Sequence, residues 1–135
     1  MSDRDTIEKL IREAYRRRVA DDTHGLCDMF TDDTEYRMIK AVPPGAPAFV
    51  ARRQPDLRAV MAQLVQNFQL KDFSIKTLLI DGNKVAVHWN SRVVSTINGH
   101  VSETDVLDLI EVRDGKIASL TEFCDTALVE RMMTV

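Results

Sequence analysis

Two carboxylates in the C-terminal half of the chain, Asp108 and Glu122, are the first candidates for acid/base chemistry. Asp108 lies between Leu107 and Leu109, and apolar surroundings disfavour a charged carboxylate. We therefore expect burial to raise the pKa of Asp108, which leaves a neutral acid able to donate a proton or a hydrogen bond. The alternative is a structural aspartate held by a buried hydroxyl or arginine.

Tyr15, Glu122 and Trp89 add further polar and aromatic groups. Tyr15 lies on the apolar stripe of a predicted helix, either as a core tyrosine whose hydroxyl finds a partner or as a donor in a site. Glu122 is two residues before Cys124 and is either a base or a water-exposed residue at a pocket mouth. Trp89 is predicted to be a large pocket wall.

Three predicted strands position these groups: Lys84–Ile97, His100–Val112 and Lys116–Cys124. Asn98-Gly99 between the first two is the strongest short hairpin signal, a two-residue type I′ turn. Arg113-Asp114-Gly115 fits a three-residue turn that is closed by glycine. The segment is therefore predicted to be an antiparallel meander.

The two turns set a register in which Trp89 lies opposite Asp108, and Asp108 lies opposite Leu120. On the other face, Arg92 opposite Asp105 predicts a cross-strand ion pair. The first face is an apolar wall with two carboxylates, formed by Val87, Trp89, Ser91, Val93, Val106, Asp108, Ile110, Leu120, Glu122 and Cys124.

The upstream sequence predicts helices that cover this wall. The predicted helices are 5–20, 22–30 and 55–68, with a short C-terminal one at Thr126–Met133, and the remaining strands are Thr34–Ala41 and Lys71–Ile80. The segment Pro43–Pro47 is predicted to be a surface loop, either a lid or a plain connector. Long strands twist, so we expect an α+β fold, a cone-shaped curved antiparallel sheet wrapped on three helices of the N-terminal half, as one domain over 1–135.

Composition and net charge limit the classes of partner that the protein is expected to bind. The chain has 135 residues and a net charge of −3, which favours neither nucleic acid nor an anionic membrane. The run Arg16–Arg18 is predicted to be a solvated helix end. No apolar run approaches the ~20 residues of a membrane span, and no secretion signal is visible, so a cytoplasmic location is expected. The histidines form no metal-ligand spacing, and no cofactor is predicted.

The opposite face of the predicted sheet is half apolar. Leu107 and Leu109 lie there beside Ala86 and Val94, and no helix is left to cover them. Such a face predicts burial by a second subunit, and hence a homodimer.

The order of elements, with Met29–Asp33 before the first strand and Arg113–Ile117 before Glu122–Asp125, resembles the nuclear transport factor 2-like superfamily. More narrowly, the chain resembles its SnoaL-like and ketosteroid isomerase-like branch. That resemblance implies a cone with a deep apolar pocket and frequent dimerisation. The superfamily includes isomerases, cyclases, epoxide hydrolases, dehydratases and non-catalytic binders, so fold alone does not define the chemistry.

Position by position, the resemblance places the tyrosine and aspartic acid of the isomerase oxyanion hole on Tyr15 and Asp108. The isomerase base falls on Met38 or an immediate neighbour, none of which is a carboxylate. The final acid of limonene-type epoxide hydrolases falls on Glu122, but their arginine and first aspartate fall on Trp89 and Ser91. SnoaL-like cyclases need one acidic residue, which Asp108 or Glu122 can supply.

The sequence thus predicts a cytoplasmic, cofactor-independent SnoaL-like protein that binds a small, largely apolar metabolite. Its catalytic candidates are Asp108, Tyr15 and Glu122, for isomerase, cyclase or hydratase/dehydratase chemistry. The predicted substrate contacts are Trp89, Ser91, Val106, Leu120, Cys124 and Met38. The alternative is a non-catalytic ligand-binding or interaction module on the same fold. A cavity that touches Asp108 favours the first, and a pocket filled by side chains favours the second.

Overall fold

The computed structural model describes residues 3–39 and 49–135. The elements are α1 (Asp3–Val19), α2 (Thr23–Cys27), β1 (Phe30–Ile39), β2 (Val50–Arg52), α3 (Arg53–Asn67), β3 (Phe68–Asp81), β4 (Lys84–Ser95), β5 (Val101–Arg113), β6 (Lys116–Phe123) and α4 (Thr126–Met133). The predicted helices are all present, and α4 has its predicted bounds. The segment Pro43–Pro47, predicted as a lid or a connector, lies outside the described residues.

The six strands form one open, curved sheet in the order β2-β1-β6-β5-β4-β3. Every neighbouring pair is antiparallel except β1 and β6, which run parallel. The α+β prediction is confirmed, but the expectation of a purely antiparallel sheet is wrong at this pair. Because β1 and β6 are far apart in sequence, no hairpin constrains them to be antiparallel.

The first strand starts earlier than predicted. Phe30, expected at the end of the second helix, is the first residue of β1, because α2 ends at Cys27. The Asp22 side chain caps α2 by accepting a hydrogen bond from the Gly25 backbone N–H at 3.0 Å. The short edge strand β2 was not predicted, since three residues are too few to show a period-two pattern.

The hairpin between β4 and β5 is longer than the predicted two-residue turn. Trp89 lies opposite Val106, and Val87 lies opposite Asp108, a shift of two residues. In this loop Gly99 has a positive φ of 77°, while the Asn98 side chain donates to backbone oxygens of α4 and the residue after it. Because side chains alternate with period two, a shift of two leaves every residue on its predicted face.

The turn between β5 and β6 is shorter than predicted. Asp114 and Gly115 both have positive φ, 53° and 75°, and Arg113 pairs with Lys116, so the turn has two residues rather than three. A register irregularity between Glu111 and Val112 follows. As a result, Asp108 lies opposite Glu122 rather than Leu120.

The predicted ion pair between Arg92 and Asp105 is also wrong, because Arg92 lies opposite Glu103. Asp105 instead pairs with His88 at 3.0 Å, and Arg92 lies 3.3 Å from Asp72. These contacts lie on the exposed face of the sheet and contribute little to stability.

The core lies between the inner sheet face and the helices. α1 buries Ile11, Ala14 and Tyr15, and α3 contributes the larger apolar stripe that the sequence predicted. The α4 helix is tied to the end of β4, since the Ser95 hydroxyl donates to the Met132 carbonyl oxygen at 2.5 Å. Helices and curved sheet together enclose a cavity.

Candidate functional site

The cavity has a volume of about 120 Å³, several times the ~10–15 Å³ that one water molecule needs. Its walls are mostly apolar, with polar groups converging from α1, β1, β4, β5 and β6. The lining residues with polar side-chain atoms are Tyr15, Arg18, Tyr36, Trp89, Thr104, Asp108, Glu122, Cys124 and Asp125. An apolar cavity with a few convergent polar groups is typical of a small-molecule site.

Asp108 is the most buried acid of the site, with 1% of its surface exposed. The Tyr15 hydroxyl and the Trp89 indole N–H both donate to its Oδ2, the latter at 2.8 Å. Its other oxygen, Oδ1, is buried and has no hydrogen-bond partner among the residues that the structure describes. One carboxyl oxygen is therefore held by the protein, while the other is left for a proton or a ligand.

Burial raises the pKa of Asp108 well above its ordinary value, and the nearby Glu122 carboxyl raises it further. The hydrogen bonds from Tyr15 and Trp89 act in the opposite direction and are outweighed. The predicted upward shift is confirmed, although the residue opposite Asp108 is not Trp89. A neutral Asp108 carries its proton most favourably on Oδ1, because Oδ2 already accepts two hydrogen bonds.

Glu122 lies directly opposite Asp108 on β6 and beside Met38 on β1. The Tyr36 hydroxyl donates to its Oε1 at 2.9 Å. The carboxyl is therefore oriented by a fixed donor and is half-buried rather than free in water. The site contains two carboxyls on adjacent strands, one deeply buried and one less so.

Both tyrosines are donors in this arrangement. Burial, and then the nearby carboxyls Asp108 and Glu122, raises the pKa of Tyr15 and of Tyr36 well above the ordinary value. The Tyr15 ring stacks on Phe73 at a centroid distance of 5.5 Å, and Phe73 lies 5.3 Å from Trp89. Ring packing thus fixes the two groups that hold Asp108.

The structure brings most predicted site residues together. The cavity is lined by Tyr15, Met38, Trp89, Val106, Asp108, Leu120, Glu122 and Cys124. Burial and the Glu122 charge raise the pKa of the Cys124 thiol to about 12, so it stays protonated. Ser91 is on the same sheet face, but its hydroxyl donates to the Lys71 carbonyl oxygen at 2.8 Å, and it is not among the described lining residues.

Tyr36 and Arg18 are among the lining residues that the sequence analysis missed. Tyr36 follows Thr34 and precedes Met38 in a period-two pattern, which was a usable signal. Arg18, predicted in a solvated helix end, instead lines the cavity. It follows Tyr15 by three positions on the buried stripe of α1, so helical spacing placed it inward although its charge suggested the opposite.

Across residues 3–39 and 49–135, no group of three or more His, Cys, Asp and Glu side chains is arranged to hold a metal ion.

Within the same described ranges, none of the helices has the length and apolar character needed to cross a bilayer.

The fold is that of the nuclear transport factor 2-like class. A candidate isomerase from Bacillus subtilis has a TM-score of 0.85 and 13% identity, covering 99% of this chain and 98% of its own. An NTF2-like protein of unknown function from Burkholderia pseudomallei K96243 has a TM-score of 0.81 and 17% identity, with 100% of both chains covered. A candidate polyketide cyclase from Xanthomonas campestris pv. campestris has a TM-score of 0.76 and 15% identity, covering 98% and 100%. At these identities the likeness establishes the fold alone.

The family follows from the sequence itself. The family model described as SnoaL-like domain matches residues 11–120, which is most of the chain. The chain belongs to the SnoaL-like domain family. No curated protein matches the sequence.

Proposed function

We propose that this protein, as one SnoaL-like domain over residues 1–135, binds a small, largely apolar metabolite and performs cofactor-independent acid/base chemistry on it. In this proposal Asp108 is the general acid, Glu122 the general base, and Tyr15 the hydrogen-bond donor that holds Asp108. The reaction class is isomerase, cyclase or hydratase/dehydratase.

One observation carries the proposal: Asp108 and Glu122 lie opposite each other in the wall of an apolar cavity. Burial and the neighbouring Glu122 carboxyl raise the pKa of Asp108 and so favour its neutral form, and its Oδ1 accepts no hydrogen bond from the described residues. Two carboxyls in different environments are the usual basis for assigning an acid and a base. A cavity that touches Asp108 is also the outcome that favours a ligand-binding site over a filled core.

The proposed reaction needs no co-reactant besides the ligand and the two carboxyls. The Glu122 carboxylate removes a proton from a carbon next to a ligand carbonyl, while Asp108 gives its proton to the carbonyl oxygen. The resulting enol has two routes. In isomerisation it regains the proton of Glu122 at another carbon and returns its O–H proton to Asp108. In cyclisation its carbon adds to a second carbonyl of the ligand, whose C=O π bond opens to an alkoxide that takes the proton of Glu122, while the enol O–H proton returns to Asp108. The two carboxyls exchange protonation states and return to the start when the proton is returned.

Glu122 also accounts for the missing carboxylate of the isomerase pattern. The resemblance assigns the base to the position of Met38, and Glu122 lies beside Met38 on the neighbouring strand. A base supplied from β6 can therefore act in the same region of the cavity. The similar structures described as a candidate isomerase and a candidate polyketide cyclase belong to the proposed reaction classes.

The proposal is tested by proton exchange, which needs no knowledge of the natural substrate. Apolar compounds with acidic C–H bonds, such as 2-indanone, 2-tetralone and ethyl acetoacetate, are incubated in D₂O, and loss of the C–H signal is followed by NMR. The wild type is expected to accelerate exchange of at least one compound, and the double variant Asp108→Asn/Glu122→Gln is not.

A non-catalytic binding module is the second candidate, favoured by Met38 at the position of the isomerase base and by the predominantly apolar cavity walls. If these compounds perturb Trp89 fluorescence but none exchanges faster than in the double variant, this second function replaces the first.

We also propose that the protein is a homodimer through the outer sheet face. Leu107, Leu109 and Phe123 are 41%, 44% and 39% exposed, and all three lie on one face of β5 and β6, since Leu107 pairs with Phe123. Leu79 on β3 extends this apolar patch. Exposed apolar clusters of this kind favour association with a second copy.

Sedimentation equilibrium at micromolar concentration is expected to show a dimer for the wild type and a monomer for Leu107→Glu/Leu109→Glu. Two charges at the centre of the patch oppose burial without touching the core. Glu130→Gln, an exposed position on α4, is the control and should remain dimeric. A monomeric wild type would refute the proposed interface. Cytoplasmic location and cofactor independence stay predictions from the sequence.

A further inference from the structure

The Arg18 side chain extends from the last turn of α1 into the cavity wall. Its Nη2 donates to the backbone oxygens of Leu64 and Phe68, at 3.2 and 2.7 Å. Leu64 lies in the last turn of α3 and Phe68 is the C-cap residue of that helix, and the C-terminal end of a helix favours a cation. The guanidinium is therefore held in place by one of its two terminal nitrogens.

The other terminal nitrogen, Nη1, is buried and has no hydrogen-bond partner within the described residues. None of the described carboxylates lies within 4.0 Å of Arg18, so it has no ion pair there. Burial lowers the pKa of Arg18, while Glu122 and Asp21 oppose that effect at longer range. Arginine nevertheless remains protonated in proteins.

A buried guanidinium with an unused donor is unfavourable unless an acceptor satisfies it. Water or a neutral carbonyl would supply a hydrogen bond but leave the charge uncompensated. A carboxylate supplies both a hydrogen-bond acceptor and a compensating negative charge. The planar guanidinium of arginine matches the geometry of a carboxylate in particular. The cavity wall that contains Arg18 also includes the apolar residues Leu64, Phe68 and Leu70.

We propose that Arg18 is the anion-binding subsite of the cavity, and that the ligand is a small apolar molecule bearing one carboxylate. This inference rests on the proposed function, since it requires that the cavity binds a metabolite. In this proposal Arg18 determines which ligands bind. The carboxylate of the ligand binds Nη1 of Arg18, and its apolar part occupies the cavity beside Asp108 and Glu122. A neutral analogue would leave the guanidinium unpaired and would be rejected.

Trp89 provides the readout, because it is the chain's one tryptophan and lines the cavity. Fluorescence titrations use isosteric pairs that do not absorb with tryptophan: cyclohexanecarboxylate, cyclohexaneacetate and octanoate, each against its primary amide. In the wild type at least one carboxylate is expected to bind about 10-fold or more tightly than its amide, as charge-assisted recognition predicts.

Arg18→Met is expected to reduce that preference to near unity, and Arg18→Lys to retain part of it, since lysine keeps the charge but not the fork. Arg16→Gln is the matched control, because Arg16 is on the same turn with 70% of its side chain exposed. Its preference should equal that of the wild type. Urea unfolding of each variant verifies that it is folded.

The wild-type comparison decides the inference even if Arg18→Met does not fold. Equal binding of every carboxylate and its amide overturns the anion subsite and leaves the proposed ligand-binding cavity intact. If none of the six compounds changes Trp89 fluorescence, both the anion subsite and the proposed ligand-binding cavity are overturned. A preference for carboxylate that persists unchanged in Arg18→Lys and Arg18→Met places the anion elsewhere and also overturns the assignment.

Discussion

Glu122→Gln is expected to slow the exchange of acidic C–H bonds by about 10²–10⁴-fold, the usual contribution of a general base. Glutamine has the same shape and still accepts the hydrogen bond that the Tyr36 hydroxyl donates to Glu122. It does not remove a proton, however, so the loss should appear in the exchange rate and not in ligand binding.

The measurement is the NMR exchange rate of the best wild-type probe, with binding followed separately through Trp89 fluorescence. Glu111→Gln is the control, since Glu111 is exposed on β5 and lies 3.8 Å from Lys84, away from the cavity. It should exchange at the wild-type rate. If Glu122→Gln exchanges as fast as the wild type, Glu122 is not the base, and the acid/base assignment fails.

Asp108→Asn is expected to be as stable as the wild type, or more stable, at neutral pH. The asparagine oxygen can accept the hydrogen bonds from Tyr15 and Trp89 that now reach Asp108 Oδ2. The amide is neutral at every pH, whereas Asp108 must take up a proton on folding to avoid a buried charge beside Glu122. A buried acid retained for function commonly costs stability, and its neutral replacement then restores it.

The sign of the pH dependence follows from the raised pKa of Asp108. The unfolded carboxyl titrates near its ordinary pKa of about 3.9, whereas the folded carboxyl titrates higher, so the folded state binds more protons between these two values. Stability therefore decreases as pH rises through that window, by at most ~1.4 kcal/mol per pH unit from this group, and levels off above the folded pKa. Asp108→Asn does not lose stability in this way, so the difference in unfolding free energy between the variant and the wild type should increase with pH.

Urea titrations at about pH 5, 7 and 9 measure the difference in unfolding free energy. Glu13→Gln on α1 is the control, because hydrogen bonds from Arg16 and Arg17 lower the pKa of Glu13 to about 2 and arginine stays charged over this pH range. The stabilisation from Glu13 is present above the unfolded pKa and is lost as pH falls, so this control gains nothing as pH rises. A loss of about 3 kcal/mol or more in Asp108→Asn at pH 7 would instead identify an ionised structural acceptor.

The inward direction of the site residues was predictable from the sequence. Period-two alternation places Trp89, Asp108 and Glu122 on one sheet face, and an error of two residues in register does not change that. The helices were predictable for the same reason, because their apolar spacing reflects burial on one side. The upward shift of the Asp108 pKa was predicted from Leu107 and Leu109, but these lie on the outer face, and the shift comes from burial on the inner face and from Glu122.

The partners of these residues were decided by tertiary structure alone. Asp108 lies opposite Glu122 because of a positive φ at Asp114 and an irregularity at Glu111. The β4–β5 register depends on Asn98, whose amide donates to the Arg131 and Thr134 oxygens.

The position of Arg18 in the cavity depends on α3 in the same way. Its guanidinium meets the Leu64 and Phe68 carbonyl oxygens, 46 and 50 residues away in the chain. Local pattern determines which face a side chain occupies, because that depends on backbone geometry at the residue itself. Which group it meets there depends on contacts between elements distant in sequence, and those exist only once the chain is folded.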